Sequence, residues 1–294
     1  MPPDQARGLR TLLEERSHGL STSARGSSPA CRTLAITSGK GGVGKSVIAV
    51  NLAVALAQLG LRVCLLDGNL GVGNVDLLCG LNGYWNLSHV VTGARQMADI
   101  CLDGPAGVRV VPGASGIVDI ADCPPATQGQ LLEQFQLLEA EHDILLIDTG
   151  SGIHRLVRQF ALAADQVLIV TTPEPTSIAD AYATIKAVNS PQGPELSVVV
   201  NQSTEAQAER ILERIHATAR TFLRTGLSLG SGIPHDPAVP KSVLARRPFI
   251  ELAPTCLASR AVIRLAEKLA GQPQVFSHKG FFARLWPKFE HRAA

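Results

Sequence analysis

A glycine-rich loop near residue 40 constrains the fold of this chain more than any other feature. The loop spans residues 38–46, reads SGKGGVGKS, and fits the pattern G-x-x-x-x-G-K-[S/T]. An apolar run, 32–37, precedes the loop, and a helical stretch, 46–59, follows it. This order of strand, loop and helix makes the pattern specific for a phosphate-binding loop, whose glycines let successive backbone N–H groups point at a nucleotide.

Each residue type in this loop suits the binding of a nucleoside triphosphate. Lys45 is expected to reach the β- and γ-phosphates, and the hydroxyl of Ser46 is expected to bind Mg²⁺. The positive end of the following helix assists the backbone N–H groups. The predicted nucleotide-binding residues of the loop are Gly39, Lys40, Gly41, Gly42, Val43, Gly44, Lys45, Ser46 and Val47.

Short apolar runs alternate with helical stretches along the rest of the chain. The runs are rich in β-branched residues and apolar throughout, which is typical of strands covered on both faces. Because alternating strands and helices imply right-handed crossovers, we predict an α/β fold with a doubly wound, mostly parallel sheet and helices on both faces. The predicted strands lie at 32–37, 62–66, 108–111, 144–147, 167–170 and 198–200.

Composition divides the chain into three parts. Residues 1–30 form an arm that ends in a Ser- and Gly-rich linker, residues 31–272 form the α/β domain, and residues 273–294 form a basic, aromatic tail. The formal net charge of +2 argues against nucleic acid as the main partner. The six cysteines form no C-x-x-C pair, so neither a disulfide framework nor a zinc or iron–sulfur site is indicated.

Two carboxylates stand at the ends of predicted strands. Asp67 follows the second strand, and Asp148 follows the apolar run 144–147 in the pattern of a Walker B strand. Since ligands bind at the carboxyl ends of the strands in such a sheet, both residues are candidates to hold Mg²⁺ or its water shell. The alternative is that each carboxylate only caps a turn or a helix.

The phosphate-binding loop resembles that of the MinD/ParA group of ATPases. Residues 40–46 match the deviant motif of that group, K-G-G-x-G-K-[S/T]. The resemblance implies ATP and Mg²⁺ as ligands and ATP hydrolysis as the activity. It also implies an ATP-bound homodimer, supported by Lys40 as the lysine that serves the nucleotide of the partner subunit. A solvated surface lysine is the alternative for Lys40.

The segment after the second strand looks like the first switch of that group, D-x-D-x-G-x-x-N-x-D, with one departure. Asn69 stands where the group has a second aspartate that orients the attacking water. An amide accepts a hydrogen bond from water but cannot take up its proton. Because phosphoryl transfer depends chiefly on positioning and charge, we predict slow hydrolysis rather than none. The predicted catalytic residues are Lys40, Asp67, Asn69 and Asp148.

Three further residues are assigned to the nucleotide pocket by their positions and by the resemblance. Glu174 follows the fifth predicted strand, in a segment whose hydroxyls would equally cap the next helix. Asn201 ends the sixth strand, and its amide offers a donor and an acceptor to an adenine edge; a simple turn is the alternative. Asp236 belongs to residues 233–237, which look like the loop beside the base in that group.

The amino-terminal arm resembles the FlhG branch of these ATPases, also called FleN or YlxH, which governs flagellar number and placement. Residues 4–10 match the branch motif D-Q-A-x-x-L-R in full. The resemblance implies that the arm stimulates an FlhF-type GTPase and that flagellar C-ring proteins are further partners. An arm without a binding role is the alternative. The predicted partner-binding residues are Asp4, Gln5, Ala6, Leu9 and Arg10.

The carboxy-terminal tail combines aromatic and basic residues at helical spacing. It looks like the membrane-targeting helix of MinD-type proteins, which implies reversible binding to an anionic membrane surface. Pro287 counts against one continuous helix. Packing of the tail against the ATPase domain is the alternative. The predicted membrane-binding residues are Phe281, Phe282, Leu285, Trp286 and Phe289.

Together these features predict an ATP-dependent dimerising switch that hydrolyses ATP and regulates flagellar number or placement. The alternatives are a ParA-like or MinD-like positioning ATPase that acts on DNA or on the division machinery, and a scaffold that binds ATP without significant turnover. The sequence contains no apolar run of membrane-spanning length and no signal-peptide pattern. We therefore expect a cytoplasmic protein that associates reversibly with the inner face of the cell membrane.

Overall fold

The computed structural model describes residues 31–69, 73–113, 125–272 and 280–286. Within these ranges the strands form one sheet. The strands are β1 (Arg32–Ser38), β2 (Val63–Gly68), β3 (Leu102–Asp103), β4 (Arg109–Val111), β5 (Ile144–Ser151), β6 (Gln166–Thr171), β7 (Glu195–Asn201) and β8 (Leu229–Ile233). Their order is β3-β4-β2-β5-β1-β6-β7-β8, and only the β3–β4 pair is antiparallel.

The α-helices of the described ranges lie on both faces of this sheet. They are α1 (Lys45–Gln58), α2 (Val75–Leu78), α3 (Leu87–Val91), α4 (Met97–Ile100), α5 (Pro125–Glu141), α6 (Arg155–Ala163), α7 (Pro175–Val188), α8 (Glu205–Thr218), α9 (Ala238–Leu244), α10 (Phe249–Leu252), α11 (Leu257–Ala270) and α12 (Phe281–Leu285). One core layer contains α1, α10 and α11, and the other contains α5 to α8.

Burial on both faces explains the unbroken apolar strands. In β1, Leu34 and Ile36 point into the layer that contains α1, whereas Ala35 points into the opposite layer. A strand in this position needs no polar face. The predicted doubly wound, mostly parallel sheet is therefore confirmed. The antiparallel edge strand β3 was not predicted, because two residues are too short for a recognisable pattern.

The tail helix α12 packs on the domain, which is the alternative that the sequence had left open. The ring of Phe282 stacks on Phe135 of α5 with 3.9 Å between centroids, and Phe281 stacks on Phe160 of α6 at 6.2 Å. Both phenylalanines of α12 are fully buried. The predicted aromatic pattern continues beyond this helix, which ends at Leu285, one residue before Trp286.

Polar contacts also anchor α12. A guanidinium nitrogen of Arg284 lies 2.8 Å from a carboxylate oxygen of Asp165, the residue just before β6. The backbone N–H of Phe282 donates to Oε1 of Glu139 at 3.0 Å, so a carboxylate of α5 caps the first turn of the helix. Burial raises the pKa of Glu139, and this hydrogen bond opposes the rise. The docked tail is thus fixed by rings and charges together.

Candidate functional site

The glycine-rich loop joins β1 to α1 in a backbone conformation that glycine adopts easily. Gly42 and Gly44 have φ angles of 80° and 89°, in the left-handed region where other residues are strained. A Cβ atom on Gly39 would lie 2.4 Å from the carbonyl oxygen of Asp180, so this close approach also requires glycine. Among the described residues, no side chain caps the start of α1. Its first N–H groups are therefore available to an anion.

Lys45 and Asp148 form a buried ion pair beneath this loop. Lys45 Nζ lies 2.6 Å from Asp148 Oδ1, and the two residues are 7% and 1% exposed. Burial raises the pKa of Asp148, and the ammonium group of Lys45 opposes the rise. Lys45 Nζ also lies 3.4 Å from Ser46 Oγ. A phosphate that drew Lys45 away would leave a buried carboxylate for a divalent cation to neutralise.

Asp67 lies beside Asp148 on the neighbouring strand. The two residues are partners in the parallel register of β2 and β5. Asp67 is 1% exposed and accepts backbone N–H groups from Asn69 at 3.0 Å and from Val75 at 3.2 Å. Burial, together with the Asp148 carboxylate, raises the pKa of Asp67 to about 6. Adjacent buried carboxylates favour either a proton or a nearby cation.

Ser46, Asp67 and Asp148 have the chemistry expected around a nucleotide-borne Mg²⁺ ion. Mg²⁺ prefers oxygen ligands and is commonly bound by one or two carboxylates together with phosphate and water oxygens. Across residues 31–69, 73–113, 125–272 and 280–286, no cluster of three or more His, Cys, Asp or Glu could hold a metal ion by itself. The donor set therefore fits an ion that arrives with phosphate ligands of its own.

Asn69 stands at the mouth of the same site. Its Oδ1 lies 3.7 Å from the position that a Cβ atom would take on Gly150, so the amide faces the carboxyl end of β5. In the loop that follows β5, Gly152 donates its N–H to the carbonyl oxygen of Ser38 at 2.7 Å. The end of β2, the end of β5 and the phosphate-binding loop therefore meet at one place.

Lys40 lies on the outside of the loop, away from the buried Lys45. Its ammonium group forms an ion pair with Glu174 and lies 3.4 Å from Oγ1 of Thr176. The side chains of Lys40 and Glu174 are 40% and 62% exposed. Glu174 thus contacts the loop through Lys40, at the start of α7. Because both charges face solvent, the pair is weak and Lys40 is free to exchange partners.

Asn201 and Asp236, the two residues predicted to lie near the nucleotide base, form hydrogen bonds to backbone groups of the domain. The side-chain amide of Asn201 donates to the carbonyl oxygen of Val43 at 2.8 Å, so it holds the phosphate-binding loop. Asp236 accepts the N–H groups of Ala238 and Leu257, each at 2.9 Å, and these bonds lower the pKa of its carboxyl group. Asp236 therefore caps two helices, and its predicted contact with the base gains no support.

Sequence reasoning did not identify Asp180, whose backbone lies against Gly39, or the Lys45–Asp148 pair. Both contacts join residues more than a hundred positions apart, and no local pattern signals them. The arm residues Asp4, Gln5, Ala6, Leu9 and Arg10, and Phe289 of the tail, lie outside the described residues. No helix in the described segments has both the length and the apolar character needed to span a bilayer.

Comparison with known proteins agrees with this site. A model of the CobQ/CobB/MinD/ParA nucleotide binding domain matches residues 34–249. Antiactivator FleN of Pseudomonas aeruginosa is 39% identical over 257 residues, which cover 87% of this chain and 92% of that protein. Flagellum site-determining protein YlxH of Helicobacter pylori is 32% identical over 264 residues, covering 86% and 88%. The solved structure of MinD from Pyrococcus horikoshii with Mg-ADP is similar at a TM-score of 0.65 and 26% identity, covering 82% of this chain and 98% of that one.

Proposed function

Because the chain belongs to the CobQ/CobB/MinD/ParA family of nucleotide-binding proteins, in the FlhG branch of the MinD/ParA ATPases, we propose that it acts as an ATP-dependent dimerising switch. In this proposal, ATP with Mg²⁺ holds two copies together, and hydrolysis separates them. Of the two relatives, FleN is named an antiactivator, and YlxH is named a flagellum site-determining protein.

The observation that carries this proposal is the buried group formed by Lys45, Asp148 and Asp67 beneath the glycine-rich loop. When bound, Mg²⁺ would neutralise charge on the β- and γ-phosphates, and Ser46 with the two aspartates would hold the ion or its water shell. Lys45 would exchange the carboxylate of Asp148 for a phosphate oxygen. ATP binding therefore replaces one set of buried ionic contacts with another, which gives the protein two distinct states.

Lys40 is the residue that we assign to the dimer. It is exposed beside the loop, and Glu174 holds it only through a solvent-facing ion pair. A lysine in this place can leave its own Glu174 and approach negative charge on the nucleotide of a second copy. Because the released carboxylate stays in water, the exchange has a small energetic cost.

Size-exclusion chromatography with light scattering would test the dimer. Wild type should be a dimer with ATP and Mg²⁺ and a monomer with ADP. Lys40→Ala should still bind ATP but stay monomeric, whereas Lys186→Ala, which removes an exposed lysine of α7, should behave as wild type. Failure of the wild-type protein to bind ATP with Mg²⁺ would refute the proposed function as a whole.

Slow hydrolysis is proposed from Asn69. The side-chain oxygen of Asn69 lies 3.7 Å from the position that a Cβ atom would take on Gly150, and its backbone N–H donates to the buried Asp67. An amide can position the attacking water but cannot accept its proton. Asn69→Asp should therefore raise the turnover rate measured by phosphate release, while ATP binding stays unchanged. An equal rate in both proteins would contradict this role for Asn69.

A flagellar role with two kinds of partner is proposed for the chain. The similarity to FleN and YlxH supports regulation of flagellar number or placement. The motif at residues 4–10 supports stimulation of an FlhF-type GTPase, and we propose flagellar C-ring proteins as partners of the ATPase domain. A synthetic peptide of residues 1–20 should raise the GTPase rate of such a partner. The same peptide with Gln5→Ala and Leu9→Ala should not.

Reversible membrane association is proposed for the tail, on the condition that α12 first detaches from the domain. Phe281 and Phe282 are buried on the domain, so these rings cannot lie among acyl chains until α12 leaves α5 and α6. Two tails released in one ATP-bound dimer would bind a membrane more strongly than one. Liposome flotation should recover protein with ATP and anionic lipid. Equal recovery with ATP and ADP, or no recovery, would contradict this proposal.

A further inference from the structure

A long groove follows the free edge of the sheet at β8. This strand is last in the sheet order, and within the described ranges no strand pairs with its outer side. The groove has a volume of about 1290 Å³. Its floor is formed by Gly230, Ser231 and Gly232, and its two walls by α8 and α11. An edge strand leaves the N–H and C=O groups of alternate residues without partners, which makes it a template for another strand.

Two of the three residues that form the floor of this groove are glycines. A Cβ atom on Gly232 would lie 2.6 Å from the Cβ of Ala208, and one on Gly230 would lie 2.9 Å from a methyl group of Leu212. These glycines let α8 lie close against β8. They also leave the backbone of the edge accessible, because Gly230 is exposed and the two residues after it are only half-buried.

Rows of opposite charge line the two walls. Acidic residues recur every fourth position on α8, and basic residues recur every fourth position on α11; all of them are exposed. Among the residues that the structure describes, no ion pair involves any of these side chains. The two rows face one groove without neutralising each other. They are Glu205, Glu209 and Glu213 on α8, and Arg260, Arg264 and Lys268 on α11.

The spacing of these charges matches that of an added strand. Residues four apart on a helix are separated by about 6 Å along its axis. Alternate residues of a strand, which point to the same side, are separated by about 6.6 Å. A strand that paired with β8 would therefore place every second side chain near a basic residue of α11, and the intervening side chains near an acidic residue of α8.

We propose that this groove binds an extended segment of a partner protein, which pairs with β8 as a ninth strand and carries acidic and basic residues in alternation. The acidic residues face α11 and the basic residues face α8. Backbone hydrogen bonds supply the attachment, and the two rows of charge select the sequence. The floor and the charged rows of this groove do not include the buried Lys45, Asp67 and Asp148.

Two labelled octapeptides of identical composition would test this proposal. One alternates lysine with glutamate, and the other repeats Lys-Lys-Glu-Glu, which mixes both charges on each side of a strand. Fluorescence anisotropy with the full chain at low ionic strength should show binding of the alternating peptide at least about tenfold tighter than the block peptide. Hydrogen exchange of residues 229–233 should slow when the alternating peptide is added.

Substitutions in the basic row of α11 test whether the peptide binds in the groove. Arg260→Glu with Arg264→Glu should weaken binding of the alternating peptide about tenfold, since two attractive contacts become repulsive. Arg210→Glu with Arg214→Glu changes the net charge equally on exposed positions of α8 outside the groove, and should leave binding unchanged. The melting temperature of each variant shows whether the fold is retained.

Four results would overturn the proposal. The first is equal binding of the two peptides, and the second is no binding of the alternating peptide. The third is equal loss of binding in the two double variants, which would indicate attraction by net charge alone. Dimerisation of the nucleotide-free protein that disappears in Arg260→Glu with Arg264→Glu would assign the edge to a second copy of the chain and would also overturn it.

Discussion

Replacement of Phe282 by alanine should release α12 while the rest of the domain stays folded. Phe282 is fully buried, with 3.9 Å between its ring centroid and that of Phe135 and 5.9 Å to that of Trp286. The helix has only five residues, so it cannot persist in water by itself. Its place on the domain therefore depends on these ring contacts.

The favourable and unfavourable free energies of docking α12 on the domain nearly cancel. Burial of Phe281, Phe282 and Leu285 contributes about 5–9 kcal/mol, at 1.5–3 kcal/mol for each side chain. Ordering the five residues of the helix costs about 5–10 kcal/mol. Loss of the Phe282 ring removes about 3 kcal/mol, which shifts the docking equilibrium by roughly a hundredfold. Because α12 can detach from the domain, the substitution leaves no cavity beside Phe135. The domain therefore loses only the free energy that docking of α12 had contributed.

Tryptophan fluorescence would report the release. Trp286 is partly buried beside Phe282, and a Trp85→Phe background removes the other tryptophan of the chain. Phe282→Ala should shift the emission of Trp286 to longer wavelength and speed hydrogen exchange of residues 280–286. Phe222→Ala removes the same ring from a position that is 74% exposed and should change neither signal.

One result would refute this reasoning. Phe282→Ala could leave the emission of Trp286 and the hydrogen exchange of residues 280–286 unchanged and lower the free energy of unfolding of the whole domain by about 3–5 kcal/mol, the usual cost of replacing a core phenylalanine by alanine. In that case α12 would be an integral part of the core. A tail of that kind would not be available for reversible binding elsewhere.

Three further predictions concern the nucleotide site. The pKa of Asp67 is raised to about 6 from an ordinary 3.8. As pH falls, the folded protein therefore protonates Asp67 at a higher pH than the unfolded chain does. Urea unfolding without Mg²⁺ should therefore show stability rising by up to about 3 kcal/mol between pH 7 and 4 relative to Asp67→Asn, and equal pH profiles would contradict the shift. Gly44→Ala should abolish ATP binding, because its Cβ would lie 2.5 Å from the asparagine amide at the end of β7; Gly60→Ala, with the same φ of 89° and open space around it, should suffer only the backbone strain and bind ATP normally by calorimetry. Lys45→Met should lower the stability of the nucleotide-free protein by about 3–5 kcal/mol, since Asp148 is left buried and unpaired; adding Asp148→Asn should restore stability in thermal unfolding but not ATP binding.

The fold and the phosphate-binding loop were predictable from the sequence because both depend on local patterns. Apolar runs report strands buried on two faces, and the spacing of glycines and lysines reports the loop. The position of α12 was not predictable, since its aromatic spacing suits a membrane and a protein core equally. Phe135 and Phe160, which decide between them in this structure, lie more than a hundred residues away.

The roles of single polar residues were also beyond sequence reasoning. Asn201 and Asp236 follow strands, where an amide or a carboxylate can contact a ligand or a backbone group. The structure gives them Val43 and the start of α11 as partners. These contacts depend on how loops from distant parts of the chain meet at the edge of the sheet, and no periodicity or motif encodes that meeting.

The side-by-side placement of Asp67 and Asp148 on paired strands makes one half of the candidate nucleotide site rigid. Their separation follows from the spacing of adjacent strands in a sheet, about 4.8 Å, and neither residue can move without disrupting the ladder between β2 and β5. Any rearrangement that accompanies the arrival or loss of the terminal phosphate must therefore come from the loops and lysines around them. The two aspartates therefore keep a fixed position, and the loops and lysines around them move when the site closes.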